Sequence, residues 1–252
     1  MSGHSKWASI KHKKAATDAK KGKVFTKIIR EITIAARQGG GDTNGNPRLR
    51  LAIQKAKEAN MPNDNIDRAM KKGTGELEGA ALEEVIYEGY AHGGVAVLVY
   101  TLTDNKNRTT SDVRNIFTKF GGSLASHGAV GWIFEKKGYF VIGRETIEED
   151  KLMSIALDAG AEDLSAEESK YSVTTSPADF EKIKKVLEDN KIKIEVAEIS
   201  MVPKNYIKIT GDAAKKTLAL IGTLEDHDDI QNVYSNFDIP EEILEEIEKE
   251  NQ

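Results

Sequence analysis

Apolar residues recur at helical spacing in three stretches of the first 75 residues, and each stretch is bounded by residues that start or stop helices. The first stretch covers residues 24–37 and ends at a run of three glycines. The second follows Asn46 and Pro47, which favour the N-cap and the first turn. The third is short and ends at Gly73. If the apolar stripes pack inward, a three-helix bundle forms with its Lys and Arg side chains outside.

From about residue 80 onward, the pattern changes to strands that alternate with helices. Residues 95–102 are almost entirely apolar, which is typical of a buried strand. Residues 132–134 and 139–142 are expected to pair as a hairpin that turns at Lys136, Lys137 and Gly138. Such alternation is typical of α+β domains with helices on one face of a sheet, and the segment is long enough for two. The pattern leaves open how the two domains share the strands.

The charge is divided unevenly along the 252 residues. Residues 1–75 hold 17 Lys and Arg against 6 Asp and Glu, whereas the remainder holds 19 against 35, which gives the net charge of −5. A basic region attached to an acidic remainder is typical of a module that binds a polyanion such as nucleic acid. Lysine-rich helices that merely solvate a small bundle would show the same counts.

The candidate nucleic-acid-binding residues are mostly cations that can neutralise phosphates and release counterions. Trp7 could stack on an unpaired base or pack in the bundle core. Asn107 and Arg108 stand at a predicted helix start, where free N–H groups suit phosphate, although ordinary N-capping explains such residues equally well. The full set comprises Lys6, Trp7, Lys11, His12, Lys13, Lys14, Lys20, Lys21, Lys23, Lys27, Arg30, Arg37, Arg48, Arg50, Lys55, Asn107 and Arg108.

No arrangement of residues indicates catalysis, a cofactor or a metal. The sequence has no Cys, no nucleophile elbow and no phosphate-binding glycine loop of the Walker type. The acidic cluster at residues 225–229 contains no Gly to fold a cation-binding loop, so it predicts a solvated turn between a helix and a strand. The apolar run at residues 95–100 is far shorter than a membrane span, and no apolar signal segment opens the chain. We therefore expect a protein that is not an enzyme, with no membrane and no small-molecule substrate.

Seven short strings, in order along the chain, resemble the YebC/PmpR family. They are GHSKWA at 3–8, IKHKKA at 10–15, NPRLR at 46–50, ANMPN at 59–63, YEGYA at 87–91, TDNKNRT at 103–109 and DDIQNVYSN at 228–236. The resemblance runs from residue 3 to about residue 240, and it is least distinctive between about 143 and 200.

The resemblance implies an α+β multidomain protein, with a basic N-terminal three-helix domain and two ferredoxin-like α+β domains, one inserted in the other. The implied bounds are 1–80 for the helical domain, 81–135 with 201–240 for the discontinuous middle domain, and 136–200 for the insertion. An acidic helix at 241–252 would end the chain. In the family, the basic N-terminal motif corresponds to Lys6, Trp7, Lys11, Lys13 and Lys14, and the middle-domain motif to Asn107 and Arg108.

The resemblance also implies a function. Family members are described as cytoplasmic DNA-binding transcriptional regulators, which would make duplex DNA the partner. Other members, including mitochondrial ones, are described as translational activators that act on the ribosome and ease synthesis of stretches such as consecutive prolines. The partner would then be rRNA or tRNA. No cofactor or enzymatic activity is implied. A third alternative is a protein-interaction module whose basic face binds an acidic partner.

Overall fold

The basic N-terminal region forms three helices in the computed structural model, which describes residues 7–9, 21–79 and 81–250. The helices are α1 (Lys21–Gly39), α2 (Pro47–Glu58) and α3 (Asn63–Thr74). Asn46 caps α2, because its side-chain oxygen accepts the Leu49 N–H at 3.1 Å. The predicted bundle is confirmed. Its core consists of Ile32, Ala35, Ala36, Leu49, Ala52, Ala56, Met61, Ile66 and Ala69.

The remaining chain forms consecutive pairs of strands that are separated by single helices. In chain order the strands are β1 (Glu83–Tyr90), β2 (Ala96–Thr103), β3 (Ser123–Ala125), β4 (Phe134–Gly143), β5 (Asp163–Ala166), β6 (Lys170–Thr175), β7 (Ile194–Pro203), β8 (Ile207–Lys208), β9 (Ile230–Ser235) and β10 (Phe237–Asp238). The helices are α4 (Lys106–Lys119), α5 (Glu149–Ala159), α6 (Phe180–Asp189), α7 (Gly211–Glu225) and α8 (Glu241–Glu250). None of the helices among the described residues is long and apolar enough to cross a membrane.

The first sheet has the strand order β3-β1-β2-β9, and all its neighbours are antiparallel. Helices α4 and α7 bury one face, where Val97, Val99, Phe117 and Leu220 form the centre of the core. Helix α8 joins the same core through Leu244. On the opposite face, residues 129–134 cover the strands. Strand β2 is therefore buried on both of its faces, which explains its mostly apolar sequence.

The second sheet is formed by the chain between β3 and β8. Its order is β5-β6-β4-β7, with every neighbouring pair antiparallel. In chain order, α5 connects β4 to β5 and α6 connects β6 to β7, which is the ferredoxin-like arrangement. Phe140, Ile142, Leu152, Ile183 and Leu187 fill the layer between sheet and helices. The α+β fold is confirmed, whereas the residue bounds of the domains stay a prediction.

The predicted hairpin around residues 132–142 is wrong. Strand β4 runs without a turn, and Lys136 and Lys137 pair in register with β7. Gly138 is not a turn residue. A Cβ there would lie 2.5 Å from the Thr175 side chain and 2.9 Å from the Phe180 ring, so the glycine allows close packing at mid-strand. A pair of lysines beside a glycine resembles a turn only when the strand is viewed without its neighbours.

Another glycine sets the distance between α1 and α3. A Cβ on Gly73 would lie 2.4 Å from the carbonyl oxygen of Thr33 and 2.6 Å from the Cβ of Ala36. Both of those residues belong to α1, so the two helices can approach this closely only because the position has no side chain.

We expect Gly73→Ala to lower the free energy of unfolding by about 1–3 kcal/mol, because the added methyl group must push α1 and α3 apart. Gly222→Ala in α7 is the matched control, since no atom lies within 4 Å of its ideal Cβ. That control should be neutral or stabilising by about 0.5–1 kcal/mol. Urea unfolding measures both, and equal stability of the two variants would contradict the close helix contact.

Candidate nucleic-acid interface

The basic side of α1 contacts the acidic turn (residues 225–229) that joins α7 to β9. Lys23, Lys27 and Arg30 are spaced by four and three residues, so they share one side of the helix. The Lys23 Nζ donates to the carbonyl oxygen of Asp226 at 3.0 Å, and the Lys27 Nζ donates to that of Glu225 at 2.6 Å. These carbonyls lie at the C-terminus of α7, where unsatisfied acceptors and the helix dipole favour cations.

Two arginines from different parts of the chain meet at Asp229. The Arg30 guanidinium donates to the Asp229 carboxylate and also to the carbonyl oxygens of Leu102 at 2.9 Å and Asp228 at 3.0 Å. Arg108, from the first turn of α4, donates to the same carboxylate at 2.9 Å. Asp229 is only 2% exposed. One buried carboxylate therefore joins the helical region to the first sheet and to α4.

Two threonine hydroxyls complete the surroundings of Asp229. Thr109 donates to its Oδ2 at 2.6 Å and Thr103 at 3.2 Å. Burial alone would raise the pKa of the Asp229 carboxyl, but the hydrogen bonds from Thr109, Arg108 and Arg30 outweigh it and lower the pKa below its usual range. The turn lies between a helix and a strand, as predicted. The expectation that the turn is solvated is wrong for Asp229, because its carboxylate is buried among these partners. The sequence did not show this, since Arg30 and Arg108 are distant along the chain.

The polar cluster at residues 103–110 is engaged in ordinary capping. The Asn105 side chain accepts the Arg108 N–H at 3.1 Å, and the Thr103 hydroxyl accepts the Asn105 N–H at 2.9 Å. Arg108 also pairs with Asp104 at 2.8 Å. Asn107 is exposed. The sequence left open whether this cluster binds phosphate or caps the helix, and the contacts in the structure are those of a helix cap.

Arg48 forms a second link between the helices and the first sheet. Its guanidinium donates to both carboxylate oxygens of Glu31 in α1, at 2.7 and 3.2 Å. It also donates to Glu84 in β1 at 2.6 Å and to the side-chain oxygen of Gln38 at 2.7 Å. Gln38 donates in turn to Glu84 at 3.0 Å. The predicted phosphate ligand Arg48 is thus already surrounded by acceptors.

Trp7 packs against the core of the first sheet. Residues 7–9 are helical, and the Trp7 ring meets Phe237 edge-on with centroids 6.2 Å apart. Ala8 packs against the buried side chains of Val141 and Val196 in the second sheet, and the Ser9 hydroxyl donates to Glu195 at 2.8 Å. Trp7 therefore has a packing role, but the core that it joins is that of the first sheet and not the bundle core that the sequence suggested.

The comparisons with known proteins agree on one family across nearly the whole chain. Residues 5–76 match the profile described as the TACO1/YebC protein N-terminal domain, and residues 82–237 match the TACO1/YebC second and third domain. This chain belongs to the TACO1/YebC family. Its curated relatives include a "Probable transcriptional regulatory protein" of Syntrophus aciditrophicus, 59% identical over 98% of this chain and 99% of the relative. A Geobacter sulfurreducens relative with the same description is 55% identical over 98% of this chain and 100% of its own.

The chain is also similar to a solved crystal structure, that of a conserved hypothetical protein from Aquifex aeolicus. It is 50% identical, covers 90% of this chain and 94% of its own, and superposes with a TM-score of 0.78.

The other candidate cations of this TACO1/YebC protein divide into three groups. Arg37, Arg50 and Lys55 are exposed, and Arg50 donates to the carbonyl oxygen of Thr43 at 3.1 Å. Lys21 begins α1. The remaining candidates lie outside the described residues: Lys6, Lys11, His12, Lys13, Lys14 and Lys20.

Three exposed cations of the TACO1/YebC helical region were absent from the sequence-based candidates. They are Lys57 on α2 and Arg68 and Lys71 on α3. None of the three, nor Lys55, forms an ion pair with any residue that the structure describes. The helical periodicity could have found them, since each lies outside the buried stripe of its helix.

We expect Asp229→Asn to lower the free energy of unfolding at pH 7 by about 3 kcal/mol, because it leaves the Arg30 and Arg108 guanidiniums without their shared carboxylate. The pKa of Asp229 is lower in the folded state, so the carboxylate stabilises the fold above the unfolded pKa of about 3.9 and loses this effect as the pH falls through the folded value. The difference between the two proteins should therefore shrink below about pH 4.

Asp228→Asn is the matched control for this experiment, because Asp228 is exposed and contributes only its backbone oxygen to Arg30. Urea titrations at pH 7 and at acid pH measure all three proteins. A loss of stability that is equal in the two variants, or independent of pH, would contradict the buried ion pair.

Proposed function

We propose that this chain is a nucleic-acid-binding regulator of gene expression, and that its basic N-terminal region binds the phosphates of duplex DNA. The observation that carries the proposal is the set of exposed cations on α2 and α3 with no ion pair among the described residues: Lys55, Lys57, Arg68 and Lys71. Five further lysines stand in the first 20 residues against a single acid. The description of the relatives as transcriptional regulators supports the same function.

The contacts favour binding through the DNA backbone over base-specific recognition. On α2, the exposed amide nitrogen of Gln54 donates to Glu58 at 3.0 Å, so one of its hydrogen-bonding groups is already used within the helix. The other exposed polar groups of α2 are mostly cations, which bind phosphates irrespective of sequence. We therefore expect strong dependence on salt and weak dependence on sequence.

A translation factor that binds rRNA or tRNA on the ribosome is the second candidate. The same shortage of base-reading side chains favours it, because structured RNA is recognised largely by shape and by its backbone. A protein-interaction module, with an acidic protein on the basic face, is the third.

One competition experiment separates the three functions. The chain has no Cys, so a single Glu188→Cys on the exposed side of α6 accepts a fluorophore. Labelled protein is bound to purified ribosomes at about 150 mM salt and challenged with random duplex DNA at equal phosphate concentration. Displacement supports DNA binding, and retention supports the ribosomal function. Binding to neither would overturn both and support the protein-interaction module.

We expect Lys11→Gln, Lys13→Gln and Lys14→Gln together to weaken DNA binding and to reduce the slope of log K against log salt by about 2.7, since each phosphate contact contributes about 0.9. Fluorescence anisotropy across a salt series measures the slope. A matched control removes three lysines from α6, at Lys182, Lys184 and Lys185, and should change the slope little. Equal slopes for the two triple variants would refute a specific role for the N-terminal lysines.

A further inference from the structure

We propose that the contact between α1 and the acidic turn is a permanent joint, and that it stays closed when nucleic acid binds. We call it the Asp229 joint and define it by Lys23, Lys27, Arg30, Arg108 and the acidic turn. In this proposal Asp229 is a positioning residue that fixes the orientation of the basic helical region. The phosphate-binding surface is then formed by the cations that the joint leaves exposed. The inference rests on the proposed function and assigns the residues of its binding surface.

The centre of the joint is too well enclosed for a phosphate to replace Asp229. Its carboxylate accepts hydrogen bonds from Arg30, Arg108, Thr103 and Thr109 while it is almost fully buried. A phosphate that captured Arg30 would leave a buried carboxylate with one partner fewer, which is strongly unfavourable. The Arg30 side chain is itself only 19% exposed.

The contacts at the rim of the joint are more exposed, but they also favour a joint that stays closed. Lys23 and Lys27 donate to carbonyl oxygens at the end of α7, and the Lys23 side chain is 49% exposed. These contacts satisfy helix-end acceptors that have no partner within α7. A phosphate that removed both lysines would leave those acceptors to water.

A second attachment keeps the helical region from pivoting about Asp229. Arg48 and Gln38 both bond to Glu84, at the start of β1. The helical region is thus held to the first sheet at β1 and at the acidic turn. Two separated attachments restrict rotation of the helical region more than a single one would, because one contact alone would act as a pivot.

With the joint closed, α2 keeps a basic exposed side. Leu49, Ala52 and Ala56 face the core of the bundle, and helical periodicity places Arg50 and Lys55 away from that stripe. Lys57 and, on α3, Arg68 and Lys71 are exposed as well. A polyanionic backbone can reach these cations without any change in the joint.

The first test measures a distance across the joint. Glu58→Cys on α2 and Asn115→Cys at an exposed position of α4, which packs on the first sheet, place two spin labels in a chain that has no other Cys. We expect one narrow distance distribution, unchanged when random duplex DNA or purified ribosomes saturate the protein. If the distance distribution shifts or broadens when either partner saturates the protein, the proposal of a closed joint is overturned. The unlabelled protein's affinity for both partners is the control for the labels.

Asp229→Asn should broaden this distribution at a temperature where circular dichroism shows that the variant is fully folded, and Asp228→Asn should not. A loss of stability alone would leave the distances of the folded protein unchanged, so this readout separates positioning from general stabilisation. If Asp229→Asn does not fold, Arg30→Gln replaces it, since Asp229 then retains Arg108. A narrow distribution in the folded variant would overturn the positioning role.

The second test compares two pairs of lysines within the helical region. Lys55→Gln with Lys57→Gln should reduce the slope of log K against log salt by about 1.8 for duplex DNA, because two phosphate contacts of about 0.9 each are lost. Lys23→Gln with Lys27→Gln should leave the slope unchanged. If the slope falls equally in the two double variants, the assignment of the phosphate-binding surface to the cations outside the joint is overturned. Absence of any binding by the unaltered protein would instead refute the proposed function, and the distance measurement on the protein alone would still test the joint.

Discussion

The buried carboxylate of Asp229 is the constraint on which the arrangement of the chain depends. An ionised group in this position is tolerated only if several donors surround it, and here the donors come from α1, from the end of β2 and from the first turn of α4. Two of the strings that carry the family resemblance, 103–109 and 228–236, meet at this point. Their polar residues serve the contact between the helical region and the first sheet, which is why a capping sequence and an acidic turn occur together.

The division of charge along the chain consequently serves two purposes. Lys23, Lys27 and Arg30 compensate the acidic turn and the end of α7, whereas Lys55 and Lys57 remain in solvent. A count of basic residues treats these cations alike, because it does not show which ones have acids folded against them. The excess that is relevant to a polyanion is therefore smaller than the 17 basic residues of the first 75 suggest.

Features set by local spacing could be predicted from the sequence, and features set by distant contacts could not. Periodicity gave α1, α2 and α3 because helix faces repeat within a few residues. Gly138 was misread as a turn because its constraint comes from Thr175 and Phe180. The burial of Asp229 was missed for the same reason, since Arg30 and Arg108 lie 199 and 121 residues away. The sequence predicted that the candidate surface is rich in Lys and Arg, but it did not show which of these cations remain exposed.

A fixed joint also resolves a conflict between the two halves of the chain. Residues 76–252 carry a net charge of −16 and would compete with nucleic acid for the basic helices if they could move freely around them. Electrostatic interactions at physiological salt extend only about 8 Å, so this competition depends on which surfaces are close. By holding the acidic turn against α1, the joint keeps this part of the acidic region on the α1 side of the helical region. The exposed cations of α2 and α3 that we propose for phosphate binding, Lys55, Lys57, Arg68 and Lys71, form no ion pair with the described part of the acidic region.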